Sequence, residues 1–272
     1  MTEQKMLKTP SGDIPCHLLD MDGVLVRGMT PIVGSAEYVQ LLVDSSVPFM
    51  VFSNNSWFTP EVMADRLNSL GFAVDSSKVY TSALTTAEFI NLQKPNATCF
   101  PIGEEGLKQA LNDQDLQYDD VSPDYVVVGE AIDYSFQELT KGAQLVASGA
   151  RFVGTNPDTS IPSESGAIPA CGAACALIEA TTGVAPYFIG KPNPFMMRAA
   201  LAKLGKGPSH TIMVGDRIDT DIIAGMELGL QTVLVLTGAS TESSLGKYPY
   251  RPDLVVPSLY HLSVHMGFNE DC

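Results

Sequence analysis

Positive charge is scarce in this 272-residue chain: sixteen Lys and Arg stand against thirty-one Asp and Glu, a formal net charge of −15. Such a field repels a nucleic-acid backbone or an anionic membrane surface, so neither a nucleic-acid polymer nor a membrane is expected as a partner. Long apolar runs are lacking too. Stretches such as Thr232 to Leu236 fall far short of the roughly 20 residues that a membrane helix needs, and Met1 to Pro10 has no apolar core of a signal peptide. A cytoplasmic location is expected. The five cysteines (Cys16, Cys99, Cys171, Cys175, Cys272) are odd in number and contain no CxxC pair. This argues against a disulfide framework and against a cysteine zinc site, and for reduced thiols packed as small apolar groups. Of four histidines, His261 and His265 share one helical face but lack the HExxH setting of a metal pair, so a surface helix is the simpler reading.

What is present is an ordinary globular composition, 45% hydrophobic and 17% charged, with no low-complexity tract and no evident repeat. Short β-rich apolar runs alternate with helical stretches along the whole length, the pattern of βαβ units in a parallel sheet. Strands are predicted at Cys16 to Leu19, Pro48 to Phe52, Tyr187 to Ile189, His210 to Val214, Gln231 to Leu236 and Leu254 to Val256. Helices are predicted at Ser35 to Val43, Pro60 to Leu70, Pro194 to Leu204 and Thr220 to Leu228. Between these lies a second alternating block: strands at Ala97 to Ile102, Tyr125 to Val128 and Arg151 to Val153, with helices from Glu104, over Phe136 to Ala147 and after Gly172. The expected architecture is α/β: a Rossmann-like, doubly wound parallel core from residues 1–83 and 186–272, and an inserted α/β cap domain from residues 84–185.

In an open parallel sheet the ligand crevice lies beyond the carboxyl ends of the strands. Four such places are chemically unusual. Asp20-Met21-Asp22-Gly23 sets two carboxylates two residues apart beside a glycine. Ser53-Asn54-Asn55-Ser56 presents hydroxyls, amides and backbone N–H groups that suit an anion. Gly190-Lys191-Pro192 brings one ammonium. Gly215-Asp216 to Asp221 clusters three acids within six residues, and a hard divalent cation with oxygen ligands, Mg²⁺ above all, would neutralise them. Each piece alone reads as a turn, a cap or a helix charge bias. All four at the ends of strands on one sheet edge do not.

In order, these residues resemble the four motifs of the haloacid dehalogenase superfamily of aspartyl phosphatases: Asp20-x-Asp22-Gly23, Ser53, Lys191, and Gly215-Asp216-x4-Asp221. Within it the NagD-like branch, whose cap lies between the Ser and Lys motifs, is similar over nearly the whole chain. Matching stretches include Tyr80-Thr81-Ser82-Ala83, Thr155-Asn156-Pro157-Asp158-Thr159 and Pro169-Ala170-Cys171-Gly172.

The resemblance implies an Mg²⁺-dependent phosphomonoester hydrolase. Asp20 would attack phosphorus to give an aspartyl-phosphate, and Asp22 would protonate the leaving group and then activate water. The cation would be held by Asp20, the Asp22 carbonyl, Asp216 and Asp221, while Ser53, Lys191 and backbone N–H groups near Gly23 and Asn54 would cradle phosphate. Asp219 is expected as a helix N-cap.

Dehalogenation leaves Asp22 without a task. A phospho-accepting regulatory domain would lack the hundred-residue insertion, and a silent binding protein would be expected to have lost Asp20 or Asp22. The substrate is a small phosphorylated metabolite, a nucleoside 5′-monophosphate such as UMP or GMP in the first reading and a sugar phosphate in the second. Its specificity is expected in the loop Asn156 to Gly172. There Asn156, Asp158, Cys171 and Gly172 are the candidate cap residues, and Thr159, Ser160, Ser163, Glu164 and Ser165 are further polar groups. Trp57 is expected to pack the entry of the helix that follows it. Homo-oligomerisation is left open.

Overall fold

The computed structural model describes residues 7–163 and 166–268. The chain divides into two compact units, one of Met1–Ser53, Glu61–Tyr80 and Met197–Cys272, the other of Asn54–Pro60 and Thr81–Met196. The second unit thus takes in 54–60, 81–83 and 186–196, which the sequence reading assigns to the core.

The first unit holds a six-stranded parallel sheet in the order Leu254–Val256, Gln231–Val235, Thr211–Gly215, Cys16–Leu19, Phe49–Ser53, Val79–Thr81. Cys16–Leu19, Phe49–Ser53 and Thr211–Gly215 are buried at every position. That is why they read as unbroken apolar runs and not as alternations: helices cover both faces of such a sheet. Ser35–Asp44 turns Ser35, Tyr38, Val39 and Leu42 inward, the i, i+3, i+4, i+7 stripe of an amphipathic helix. From the central strand Cys16–Leu19 the chain first builds outward through Phe49–Ser53 and Val79–Thr81. It later returns on the other flank through Thr211–Gly215. The order therefore reverses at Cys16–Leu19, and ligands of doubly wound sheets bind at such a reversal.

The second unit has its own five-stranded parallel sheet, ordered Tyr187–Phe188, Arg151–Gly154, Tyr125–Val128, Thr98–Ile102, Gln117–Tyr118. Successive side chains of a strand face opposite sides. Tyr125 and Val127 accordingly enter a core with Ala87, Ile90 and Leu107, while Val126 and Val128 enter another with Ala143, Val146, Cys175 and Ile178.

Three sequence expectations need correction. Tyr187–Phe188 does not resume the first sheet; it pairs with Val153 and Gly154 at an edge of the second. Two residues carry no signal of which sheet they join, and the preceding helix Cys171–Thr182 packs on that second sheet. The strand Val79–Thr81 and helix Ser82–Gln93 went unread. In this helix Thr85 and Thr86 are buried with their hydroxyls donating to the carbonyls of Thr81 and Ser82, so polar residues occupy core positions and hide the apolar period. The expected loop after Asn156 contains an antiparallel hairpin, Ser160–Ser163 with Gly166–Pro169; Glu164 and Ser165 lie outside the described residues. No helix among the described residues is long and apolar enough to cross a membrane. Cys16, Cys99, Cys171 and Cys175 are buried free thiols, and burial pushes Cys99 up to about 12; Cys272 lies outside the described residues.

His17, fully buried in the central strand, shares a 2.7 Å hydrogen bond with the Tyr38 hydroxyl. Burial pushes its pKa from 6.5 down to about 3, so the folded chain holds it neutral. Between these values the unfolded chain binds the extra proton, so this residue removes stability as pH falls, by about 1.4 kcal/mol per pH unit. Urea unfolding of wild type and His17→Gln from about pH 7 to about pH 4 should show the gap between them narrowing as pH falls. A constant gap would mean that His17 is not the titrating group.

Candidate active site

Strand register brings the first set of residues together. Leu19 lies between Val214 and Val51 in the sheet. Ser53 and Gly215, which end two of these strands, and Asp20 and Asp216, which come directly after a strand, therefore lie at one carboxyl edge. Asp20 extends the pairing by one step, its N–H donating to Val214 O at 2.9 Å. Asp20, Asp216 and Asp221 are buried, and each offers a carboxylate oxygen within 4.8 Å of those of the other two. Asp216 Oδ2 accepts from the Ala239 N–H at 2.5 Å, and its carbonyl accepts from Ser240 N. Asp221 Oδ2 accepts from Arg217 N at 3.1 Å, closing the wide π-type turn Ile218–Ile222.

Three carboxylates so close repel one another and are costly to bury. An all-oxygen donor set of this kind suits a hard divalent cation. The backbone is shaped for the same purpose. Gly23, at φ +84°, and Gly238 both lie where an added Cβ would collide with the Asp216 carboxylate, and at Gly215 it would collide with Asp221. Asp22 is exposed and outside this carboxylate cluster.

Two expectations change here. The Gly23 N–H donates to Val26 O at 2.7 Å, so Gly23 serves by its lack of a side chain and not as a phosphate donor. Asp219 does not cap the helix: Arg217 occupies the N-cap, and the exposed Asp219 carboxylate accepts from its Nε and Nη2. Gly238 and Ala239 were missed. They follow the strand Gln231–Val235, a fifth strand end that the same topological argument would have singled out.

The second unit holds the remaining candidates. Lys191 is 2% exposed, and its main chain is bonded to the side chain of Asn54. Asn156 is buried with Nδ2 donating to Asn54 O and Oδ1 accepting from Asp158 N. Cys171 lies in the apolar core, its thiol donating to Val128 O. Both are corrected from substrate contacts to parts of the loop's foundation. Gly172 is of the same kind: its N–H donates to Asp158 O, and a Cβ there would strike the Pro157 carbonyl. Asp158 is half-buried and tied to Asn54 Nδ2 at 3.0 Å. Trp57 stacks on Phe58 at 5.2 Å. Sequence reasoning also missed Glu130, a buried acid whose Oε2 accepts from Ser56 N while Ser56 Oγ accepts from Glu130 N. No short motif marks such a pair, 74 residues apart.

A family model described as haloacid dehalogenase-like hydrolase matches residues 17–117, and a second, HAD-hydrolase-like, matches 188–262. The dihydroxyacetone phosphatase of Corynebacterium glutamicum (strain R) is 45% identical over 247 residues, 91% of this chain and 90% of its own. The chain is a NagD-like member of the haloacid dehalogenase superfamily. The ribonucleotide monophosphatase NagD of Escherichia coli (strain K12) is 38% identical over 91% of this chain and 97% of its own, and the solved NagD structure superposes with a TM-score of 0.85. An acid sugar phosphatase of Staphylococcus saprophyticus is 40% identical over 87% of this chain and 92% of its own. This NagD-like chain is accordingly a phosphoric monoester hydrolase of small phosphorylated metabolites.

The crowding at Asp216 is testable. Gly238→Ala should displace that carboxylate and weaken divalent-cation binding by about tenfold or more, roughly 1.4 kcal/mol. Titration calorimetry with Mg²⁺ on both proteins measures it; equal affinities would show that the carboxylate does not hold the cation.

Proposed function

We propose that this chain hydrolyses nucleoside 5′-monophosphates with Mg²⁺ as cofactor, through a phosphoryl group carried transiently on Asp20. The observation that bears most weight is the buried triad Asp20, Asp216 and Asp221 at the reversal point of the sheet. Phosphate monoesters hydrolyse very slowly unaided, and their catalysis is chiefly positioning and charge neutralisation. Asp20, held by the Val214 carbonyl through its own N–H, is the nucleophile; in-line attack forms the Asp20 oxygen to phosphorus bond as the ester oxygen departs. Asp22, outside the triad, gives its proton to that oxygen and later takes one from the water that cleaves the acyl phosphate. Asp20, Asp216, Asp221 and the Asp22 carbonyl would hold the cation, which when bound screens the approach of one anion to another. Ser53 donates to a phosphoryl oxygen and Lys191 balances its charge.

The nucleotide reading draws support from NagD, named a ribonucleotide monophosphatase. A second reading, a triose or sugar phosphate, is favoured by the dihydroxyacetone and acid sugar phosphatases.

Asp20→Asn should stay folded and lose turnover, since it removes the nucleophile while easing carboxylate repulsion. Mass spectrometry of acid-quenched protein should find a phosphorylated Asp20 peptide in wild type alone; full activity in Asp20→Asn would refute covalent catalysis by this residue. Substrate choice is read separately. Replacing the Asn156 to Gly172 loop should reorder kcat/KM among UMP, dihydroxyacetone phosphate, a hexose phosphate and p-nitrophenyl phosphate, whereas Asp216→Ala should lower all four alike. An unchanged order after loop replacement would put specificity elsewhere.

A further inference from the structure

Asn54 follows Ser53 and on sequence grounds is expected to face phosphate. Its side chain has no donor left for that purpose. A carboxamide carries two N–H donors and one carbonyl oxygen. One Nδ2 hydrogen goes to Lys191 O at 3.1 Å and the other to Asp158 Oδ2 at 3.0 Å, while Oδ1 accepts from Lys191 N at 2.7 Å. The amide therefore pairs with both main-chain groups of one residue, as a neighbouring strand would. The Asn54 carbonyl is itself gripped by Ser82 Oγ at 2.5 Å and Asn156 Nδ2 at 2.8 Å. Gly190 closes the seat: a Cβ there would come within 2.5 Å of Thr155 O and 2.7 Å of Asn54 Oδ1. All these groups belong to the second unit.

We propose that Asn54 is a positioning residue that fixes the root of the Lys191 side chain and ties it, through Asp158, to the loop that chooses the substrate. A lysine stem has four rotatable carbons and much rotamer freedom. An immobile backbone at its root narrows the range over which its ammonium can move. The same amide holds Asp158, so a ligand that draws Asp158 away breaks one of three bonds that orient the clamp. This inference rests on the role of Lys191 under Proposed function.

The test is a double-mutant cycle on p-nitrophenyl phosphate turnover. Asn54→Ala should lower kcat by about 10²-fold, the scale of a small misplacement of a reacting group, with a smaller change in KM. In a Lys191→Ala background the same substitution should change kcat by less than about 2-fold, because the group it positions is gone. Wild-type kcat in Asn54→Ala, or an equal loss in both backgrounds, would overturn the inference alone; wild-type kcat in Lys191→Ala would overturn the functional reading and the inference with it. Thermal unfolding checks that each variant is folded. As a second route, Asn54→Asp keeps the acceptor for Lys191 N but sets a carboxylate against Asp158. Adding Asp158→Asn to it restores a donor between the two positions and should recover part of kcat, and no recovery in a folded protein would count against the clamp.

Discussion

Three carboxylates that would rather be apart are the constraint on which the first unit is organised. Asp20, Asp216 and Asp221 come from two different strand ends and the turn after one of them, and each is buried. Coulomb repulsion alone would splay them. What opposes it is geometric: adjacent parallel strands in fixed register, the Ala239 N–H on Asp216, the Arg217 N–H on Asp221, and glycines that leave no room for a side chain between backbone and carboxylate. Their confinement costs stability locally and concentrates negative charge in an all-oxygen donor set of the kind that suits a hard divalent cation.

The second unit solves a different problem with reciprocally hydrogen-bonded groups. Ser56 and Glu130 exchange bonds reciprocally, and the Thr155 hydroxyl joins them through Ser56 Oγ at 3.0 Å. A buried acid so supplied with donors is a fixed strut, because each bond lost would leave a polar group without water to replace it. Cys171, Asn156 and Gly172 belong to the same scaffold. The residues expected to meet a ligand are chiefly those that keep the loop's base still, and Asp158 is bonded to that base through Asn54.

Much of this was legible in the chain itself. Fully buried parallel strands such as Tyr125–Val128 announce themselves by unbroken β-branched runs, and the acid pairs stand out because carboxylates do not cluster without cause. What stayed hidden depends on partners distant in the chain. Tyr187–Phe188 is too short to show which sheet it completes. Helix Ser82–Gln93 buries threonines that satisfy themselves on the preceding turn, which erases its stripe. Gly238 matters only because of where Asp216 sits, and the Asn54 side chain could be taken for an anion donor until both its hydrogens were located.

The strand order carries a further consequence for how the molecule is made. Cys16–Leu19 leaves the ribosome well before its neighbour Thr211–Gly215, which is separated from it by nearly two hundred residues. Until that late strand is synthesised, the central strand has one open edge and Asp20 lacks the two acids that complete its cluster. The intervening five-stranded sheet can close first, since all its strands lie between Thr98 and Phe188. A chain truncated before Thr211 would contain Asp20 but neither Asp216 nor Asp221, so the order of synthesis itself delays the meeting of the three carboxylates until that late strand has arrived.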